Sequence, residues 1–172
     1  LPWRPESKTK YRNPYKILVS EIMLQQTTVG TVEKRYKNFI KLWPTVEKLS
    51  KARKNTLLKF WSGLGYYRRA INFLKCAKII RAKYKSQIPR NIEDLMSLPG
   101  IGKYTALAIQ GIAFNKPVMP IDANIERIIT RIHSMLLPVG KIQQDLELYS
   151  SELIDKNRPG DMIEALMDFG SI

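Results

Sequence analysis

The sequence predicts an all-α protein, and three observations predict it. Apolar residues recur at spacings of three and four, and no long run alternates apolar with polar residues as half-buried strands do. Capping residues and first-turn prolines stand where helices would begin, at Asn13-Pro14, Pro44-Thr45, Pro89-Arg90-Asn91 and Asp122. Glycines and prolines then punctuate the chain, at Gly63 and Gly65, at Pro99-Gly100-Ile101-Gly102, and at Asn115-Lys116-Pro117 with Pro120.

The elements follow in order. Asn13-Pro14 opens a helix through Ile17, Leu18, Glu21 and Leu24. A second covers about Thr31 to Leu42. Pro44-Thr45 starts a short one, and Asn55 another that ends near Gly63 and Gly65. Tyr66 to Tyr84 reads as one long, basic, amphipathic helix. Ile92 to Leu98 is short and is followed by the glycine hairpin. Lys103 to Phe114 is a helix of small and apolar residues. Asp122 caps a helix from Ala123 to about Leu136, and two more cover Ile142 to Ile154 and Pro159 to Phe169. Nine or ten short helices result, without an internal repeat.

Lys and Arg number 29 against 15 acids, a formal charge of +14. A compact state carrying that charge repels itself, and a polyanion offsets the repulsion. Nucleic acid is the first candidate, an anionic membrane surface the second, and a merely basic protein the bland alternative. The apolar runs are too short to span a bilayer and no signal peptide opens the chain, so an intracellular protein of the cytoplasm or nucleoid is expected, with no membrane partner. The chain starts at Leu1 without a methionine and reads as part of something longer.

Single residues exclude other chemistries. The one cysteine, Cys76, forms no internal disulfide and holds no metal alone; its helical neighbours suggest a small buried side chain. The one histidine, His133, lies among Ile128, Ile129, Ile132 and Leu136, which favours a structural role over a Ser-His-Asp or multi-histidine metal site.

Leu98-Pro99-Gly100-Ile101-Gly102 joins two helices. Its glycines permit unusual backbone angles and remove side chains from the turn. Backbone N–H groups there, with the start of the next helix and Lys103, suit a phosphate. A Gly-x-Gly helix end is common, so the motif gains weight only from the helical, basic context.

Two carboxylates then stand out. Glu21 lies four residues after Ile17 and three before Leu24, on an apolar helical face. Periodicity leaves open a structural ion pair or an acid whose pKa burial raises. Asp122 precedes a helix and reads first as an N-cap. Paired with another carboxylate it would suit glycosidic cleavage, one group protonating the leaving base and the other stabilising cationic sugar.

Six blocks carry a resemblance: Leu1-Pro2-Trp3-Arg4, Ser20 to Thr27, Gly63-Leu64-Gly65-Tyr66-Tyr67, Leu98 to Gly102, Ile121-Asp122-Ala123-Asn124, and Ala165 to Gly170. Together, in this order, they resemble the helix-hairpin-helix DNA glycosylases, and within them the MutY-type adenine glycosylases. The resemblance implies two helical lobes with a cleft, 13–120 mainly a six-helix barrel, and 1–12 with 121–172 mainly the second lobe. It implies that adenine mispaired with 8-oxoguanine or G in double-stranded DNA is flipped into the cleft and hydrolysed off by a monomer.

Residue by residue, Glu21 matches the general acid, Asp122 the carboxylate that stabilises or bonds the sugar, and Asn124 its neighbour. Trp3, Arg4, Leu24 and Glu164 match the base pocket. Gln25, Gln26 and Tyr66 match residues at the duplex, the last two wedged beside the lesion. Leu98, Gly100, Gly102 and Lys103 match the phosphate grip. Tyr104 stands where strand-cutting relatives carry a nucleophilic lysine. Lys103 is one residue off, a turn of about 100° on a helix, so a monofunctional enzyme is implied.

Ala123 departs from the family's usual glycine and matches thymine-mismatch relatives. That keeps a thymine-mismatch or oxidised-pyrimidine glycosylase, and more remotely a non-catalytic DNA-binding module, as alternatives. A 4Fe–4S cluster is implied for the longer protein, and these 172 residues bind no cofactor in that reading.

Overall fold

Asn13 starts the first helix by accepting from the N–H groups of Tyr15 and Lys16, at 3.0 and 3.3 Å, with Pro14 in the first turn. That start is seen in a computed structural model that describes residues 1–4, 12–135 and 143–172. Among the described residues every regular element is helical. They are α1 (Pro14–Leu24), α2 (Val29–Leu42), α3 (Val46–Ser50), α4 (Lys54–Trp61), α5 (Arg68–Lys83), α6 (Ile92–Met96), α7 (Lys103–Ala108), α8 (Ala123–Ile132), α9 (Gln143–Leu153) and α10 (Pro159–Gly170). The chain packs as two units, Leu1–Ala106 and Leu107–Ile172.

In the first unit, α1 packs on α2, and α3 and α4 pack on α5. Phe39 of α2 is its aromatic centre. It lies 4.9 Å from Trp43, 5.5 Å from Phe60 edge-on, and 5.8 Å from Phe73 in a stack. Such pairs contribute about 0.5–1.5 kcal/mol each beyond burial. Two phenols tie α1 to α2: Tyr15 Oη donates to the Trp43 carbonyl at 2.7 Å, and Tyr36 Oη to the Lys16 carbonyl at 3.1 Å. Burial pushes both phenols well above their ordinary pKa. Cys76 is buried in α5, and burial pushes its thiol up to about 12.

In the second unit, α8 packs on α9 and α10 around Ile125, Ile129, Leu146 and Ile163. The helix begun by α7 ends in a π-helical turn, Ile109–Ala113, which periodicity does not predict. Gly111 in that turn accommodates α10: a Cβ there would lie 2.9 Å from the Val118 carbonyl oxygen and against Ile163.

Several boundaries differ from the sequence reading. α2 begins at Val29, behind Thr28, two residues earlier than the apolar pattern suggests. α4 begins at Lys54 rather than Asn55. α5 begins at Arg68 rather than Tyr66, because Tyr66 takes a left-handed backbone, φ 44°, that no helix accommodates. His133 ends α8 and stacks on Tyr149 at 3.7 Å. The expected helix end near Leu136 and helix start at Ile142 lie outside the described residues.

α1 also departs from its simple amphipathic reading. Every residue from Ile17 to Met23 is buried, so Glu21 sits in a helix enclosed all round rather than on one apolar stripe.

Candidate active site

The hairpin is built by α6, a tight turn and α7. Ile101 N–H donates to the Leu98 carbonyl at 3.2 Å, and Ala106 N–H to the Gly102 carbonyl at 2.9 Å. Leu98 and Ile101 are buried and anchor it. Gly100 has φ +85°, which favours glycine, and a Cβ there would lie a tight 3.2 Å from Asn72 Cβ. Gly102 differs: φ is ordinary and nothing lies within 4 Å of its would-be Cβ. Its bare backbone is exposed beside exposed Lys103.

Gln25, at the end of α1, ties this hairpin down. Its Nε2 donates to the Gly100 carbonyl at 3.3 Å and to Thr105 Oγ1 at 3.2 Å. A cavity of about 520 Å³ opens beside them, lined by Gln25, Gln26, Tyr66, Asn72, Gly100 and Tyr104 among others. Residues far apart in sequence thus share one space. Lys103 and Gly102 are not among those that line it.

Gln26 and Tyr66 both have positive φ, 54° and 44°. A side-chain-bearing residue held there costs about 1–3 kcal/mol and persists only where its surroundings fix it. Tyr66 is 64% exposed and Tyr67 is 47% exposed. These rings are therefore not the core aromatics that a bland reading of this block allows.

Arg69 bonds the chain segments that carry them, and sequence reasoning does not single it out. Its Nη1 donates to the carbonyls of Ile22 and Met23 at 3.0 and 3.1 Å. Its Nη2 donates to Thr27 Oγ1 at 2.8 Å and to the carbonyls of Leu64 and Gly65 at 2.7 and 3.2 Å. The guanidinium also lies 5.6 Å from the Trp61 ring centroid and 5.8 Å from that of Tyr66. Burial lowers its pKa, and Tyr66 partly opposes this. In sequence it resembles any other basic residue of a basic chain; a cation flanked by Gly-Leu-Gly and a Tyr pair is the only signal.

Glu21 is 8% exposed, in the same enclosed helix. Leu24 and Arg4 are half-buried. Trp3 is buried and stands edge-on to Tyr36 at 5.4 Å, and it does not line the cavity beside Gln25.

The second unit carries the other carboxylates. Asp122 is the N-cap of α8 and accepts from Ile125 N–H at 2.8 Å through Oδ1. Asn124 Nδ2 donates to Asp122 Oδ2 at 3.4 Å. Burial raises the Asp122 pKa above its ordinary value, while hydrogen bonds from Ile125 and Asn124 pull the other way. The cap reading of Asp122 is therefore met by this geometry.

Gly170 lies close against Asn124. A Cβ at Gly170 would lie 2.6 Å from the Asn124 carbonyl oxygen and 2.7 Å from its Cβ. The sequence reading ends this helix at Phe169, since a following glycine usually marks a C-cap. Instead Gly170 is helical and serves close approach of α10 to the first turn of α8. Glu164 is buried on α10, one residue after Ile163, which seats on Gly111.

Among the described residues no group of three or more His, Cys, Asp and Glu side chains is placed to hold a metal. A four-cysteine cluster does not fit this chain's residues, because the single thiol, Cys76, is buried and held protonated. No helix among the described residues is long and apolar enough to cross a membrane.

Residues 19–150 match the model of the HhH-GPD superfamily of base excision DNA repair proteins. The chain is 38% identical to the adenine DNA glycosylase of Buchnera aphidicola subsp. Schizaphis graminum, over 100% of this chain and 49% of that protein. It is 35% identical to the adenine DNA glycosylase of Homo sapiens, over 99% of this chain and 32% of that protein. It thus spans about half or less of these relatives' length. A thermostable thymine-DNA glycosylase superposes with TM-score 0.85 at 32% identity, covering 100% of this chain and 78% of that one. Endonuclease III from a non-covalent DNA complex superposes with TM-score 0.77 at 25% identity, covering 92% of this chain and 74% of that one.

Proposed function

This chain belongs to the HhH-GPD superfamily of base excision DNA repair proteins, and we propose that it is the base-releasing part of a monofunctional adenine DNA glycosylase. The observation that carries the reaction type is Asp122, a partly desolvated carboxylate whose two oxygens are oriented by Ile125 and Asn124. Such an anion stabilises positive charge developing on a nearby sugar more strongly than a hydrated one does. The choice of adenine is supported by the relatives that match the whole chain.

In this reading the substrate is double-stranded DNA with adenine opposite 8-oxoguanine or G. The bare backbone of Gly102 and the charge of Lys103 grip a phosphate, and Gln26 and Tyr66 enter the duplex beside the lesion. The adenine is flipped out of the duplex, and Trp3, Arg4, Leu24 and Glu164 are the residues assigned to contact it. Glu21 protonates a ring nitrogen of the adenine, which leaves with the glycosidic electron pair. Asp122 stabilises the oxocarbenium ion or bonds C1′, and water then supplies the hydroxyl that completes hydrolysis. Tyr104 offers no amine, so no Schiff base forms and the strand is not cut. Lobes at 13–120 and at 1–12 with 121–172, action as a monomer, an intracellular DNA-associated location, and a 4Fe–4S cluster held by residues outside these 172 belong to the same proposal.

The test uses the full-length protein on a duplex with A opposite 8-oxoguanine, with free base and strand breaks measured separately. Adenine release without strand breaks is expected, and its loss in Glu21→Gln. Unchanged release by that variant removes Glu21 from the role.

One observation favours a second reading, a thymine-mismatch glycosylase. The thymine-DNA glycosylase similarity covers 78% of that chain, and Ala123 stands beside Asp122 as in such enzymes. Release of thymine from a T:G duplex in preference to adenine would establish it.

A further inference from the structure

Two residues of the cavity wall, Gln26 and Tyr66, come from separate segments, the end of α1 and the turn between α4 and α5. Each adopts a left-handed backbone that its residue type resists. No direct hydrogen bond joins these two residues among those described. One side chain touches both segments. Arg69 caps the last turn of α1 through the carbonyls of Ile22 and Met23, and holds the other segment through the carbonyls of Leu64 and Gly65. Between them it reaches Thr27, directly after Gln26, and Thr27 Oγ1 also donates to the Leu64 carbonyl at 3.1 Å.

We propose that Arg69 is a positioning residue for the duplex-entering pair, clamping the two segments so that Gln26 and Tyr66 present to DNA together. The inference rests on the reading of Gln26 and Tyr66 as residues that enter the duplex. Geometry makes arginine specific. Nη1 serves the end of α1, while Nη2 serves both Thr27 and the carbonyls of Leu64 and Gly65, so the two ends of one rigid plane bridge the segments. A lysine ammonium is a single point and reaches one carbonyl set at a time, keeping the charge while losing the clamp. The same guanidinium lies 5.6 Å from the Trp61 ring centroid and 5.8 Å from that of Tyr66, which adds a cation–π contact with each ring.

The experiment compares full-length wild type with Arg69→Lys, Tyr66→Ala and the double variant. Three quantities are read: melting temperature, single-turnover adenine release from an A:8-oxoguanine duplex, and the fluorescence rise of 2-aminopurine placed next to the target base. Displaced groups that must align to react lose about tenfold or more, so Arg69→Lys slows release at least about tenfold and blunts the fluorescence rise while melting within a few degrees of wild type. In the Tyr66→Ala background the same substitution costs less than about twofold, because residues acting as one unit are not additive. Thr27→Val, which removes one contact of the clamp, gives a smaller loss with the same non-additivity and serves if Arg69→Lys folds poorly.

Release by Arg69→Lys at the wild-type rate overturns the inference, and so does a full, multiplicative loss in the Tyr66→Ala background. A wild type that unstacks the probe without releasing adenine ends the adenine reading instead. In that case a blunted rise in Arg69→Lys still supports the clamp, and an unchanged rise overturns it.

Discussion

In residues 1–106 a single cation hydrogen-bonds the two segments that carry Gln26 and Tyr66, whereas in residues 107–172 Asn124 and Ile163 lie against glycines at distances too close for a methyl group. Arg69 gathers five acceptors from α1, Thr27 and the Gly63–Tyr67 turn, in the segments that carry the left-handed residues Gln26 and Tyr66. Gly170 and Gly111 let Asn124 and Ile163 approach more closely than a Cβ would permit. A polar clamp is broken by removing or reshaping its donor. A steric seat is broken by adding atoms. The two units should therefore fail in different ways under small substitutions.

The largest effect is expected at Asp122. Asn caps helices as well as Asp does, so Asp122→Asn keeps the Ile125 N–H satisfied while removing the charge. Base release should fall by about 10²–10³-fold, the usual effect of losing one preorganised electrostatic partner, with the melting temperature unchanged or higher. A falling melting temperature would mean that the carboxylate is chiefly structural.

Next comes Gly170→Ala. A Cβ placed 2.6 Å from the Asn124 carbonyl oxygen forces α10 away from α8, at about 1–3 kcal/mol of overpacking. Chemical denaturation should report that loss, and base release should fall with it. Full stability in the variant would refute the seat. The contrasting substitution in the other unit, Gln26→Gly, should raise stability by up to about 1 kcal/mol, because glycine accepts φ 54° without strain. Duplex affinity should drop at the same time, and unchanged affinity would remove Gln26 from the DNA interface.

The smallest effect is in pH dependence. Burial raises the Asp122 pKa above its ordinary 3.8, so the folded chain keeps a proton at a pH where the unfolded chain has lost it. The stability contributed by the protonated form is present at low pH and is lost as pH rises from about 3.8 through the raised folded value. Melting curves of wild type and Asp122→Asn should therefore diverge upward through that window, the variant being the more stable above it. Parallel curves would show that the carboxyl titrates normally.

Much of this contrast is legible in the amino-acid sequence itself. Asn13 and Asp122 announce two helix starts through their capping chemistry, and Gly100 announces a turn that favours glycine. The helical neighbours of Cys76 mark it as a buried side chain, and it is one. Arg69 is hidden because its partners are carbonyls, which every residue carries, and two of them come from a distant helix. Gly170 looks like a helix end because a glycine needed for close approach and one needed for a cap are the same letter. The π-helical turn after α7 is invisible for a similar reason: its surroundings are Gly111 packed against Val118 and Ile163, a tertiary contact.

Both units serve one proposed reaction, and the base it removes is its most discriminating property. The direct measurement is single-turnover release by the full-length protein from two duplexes present together, one with A opposite 8-oxoguanine and one with T opposite G. Free adenine forming well ahead of free thymine is the predicted result. Thymine forming first would contradict the adenine assignment and move the chain to the mismatch-thymine branch of its superfamily.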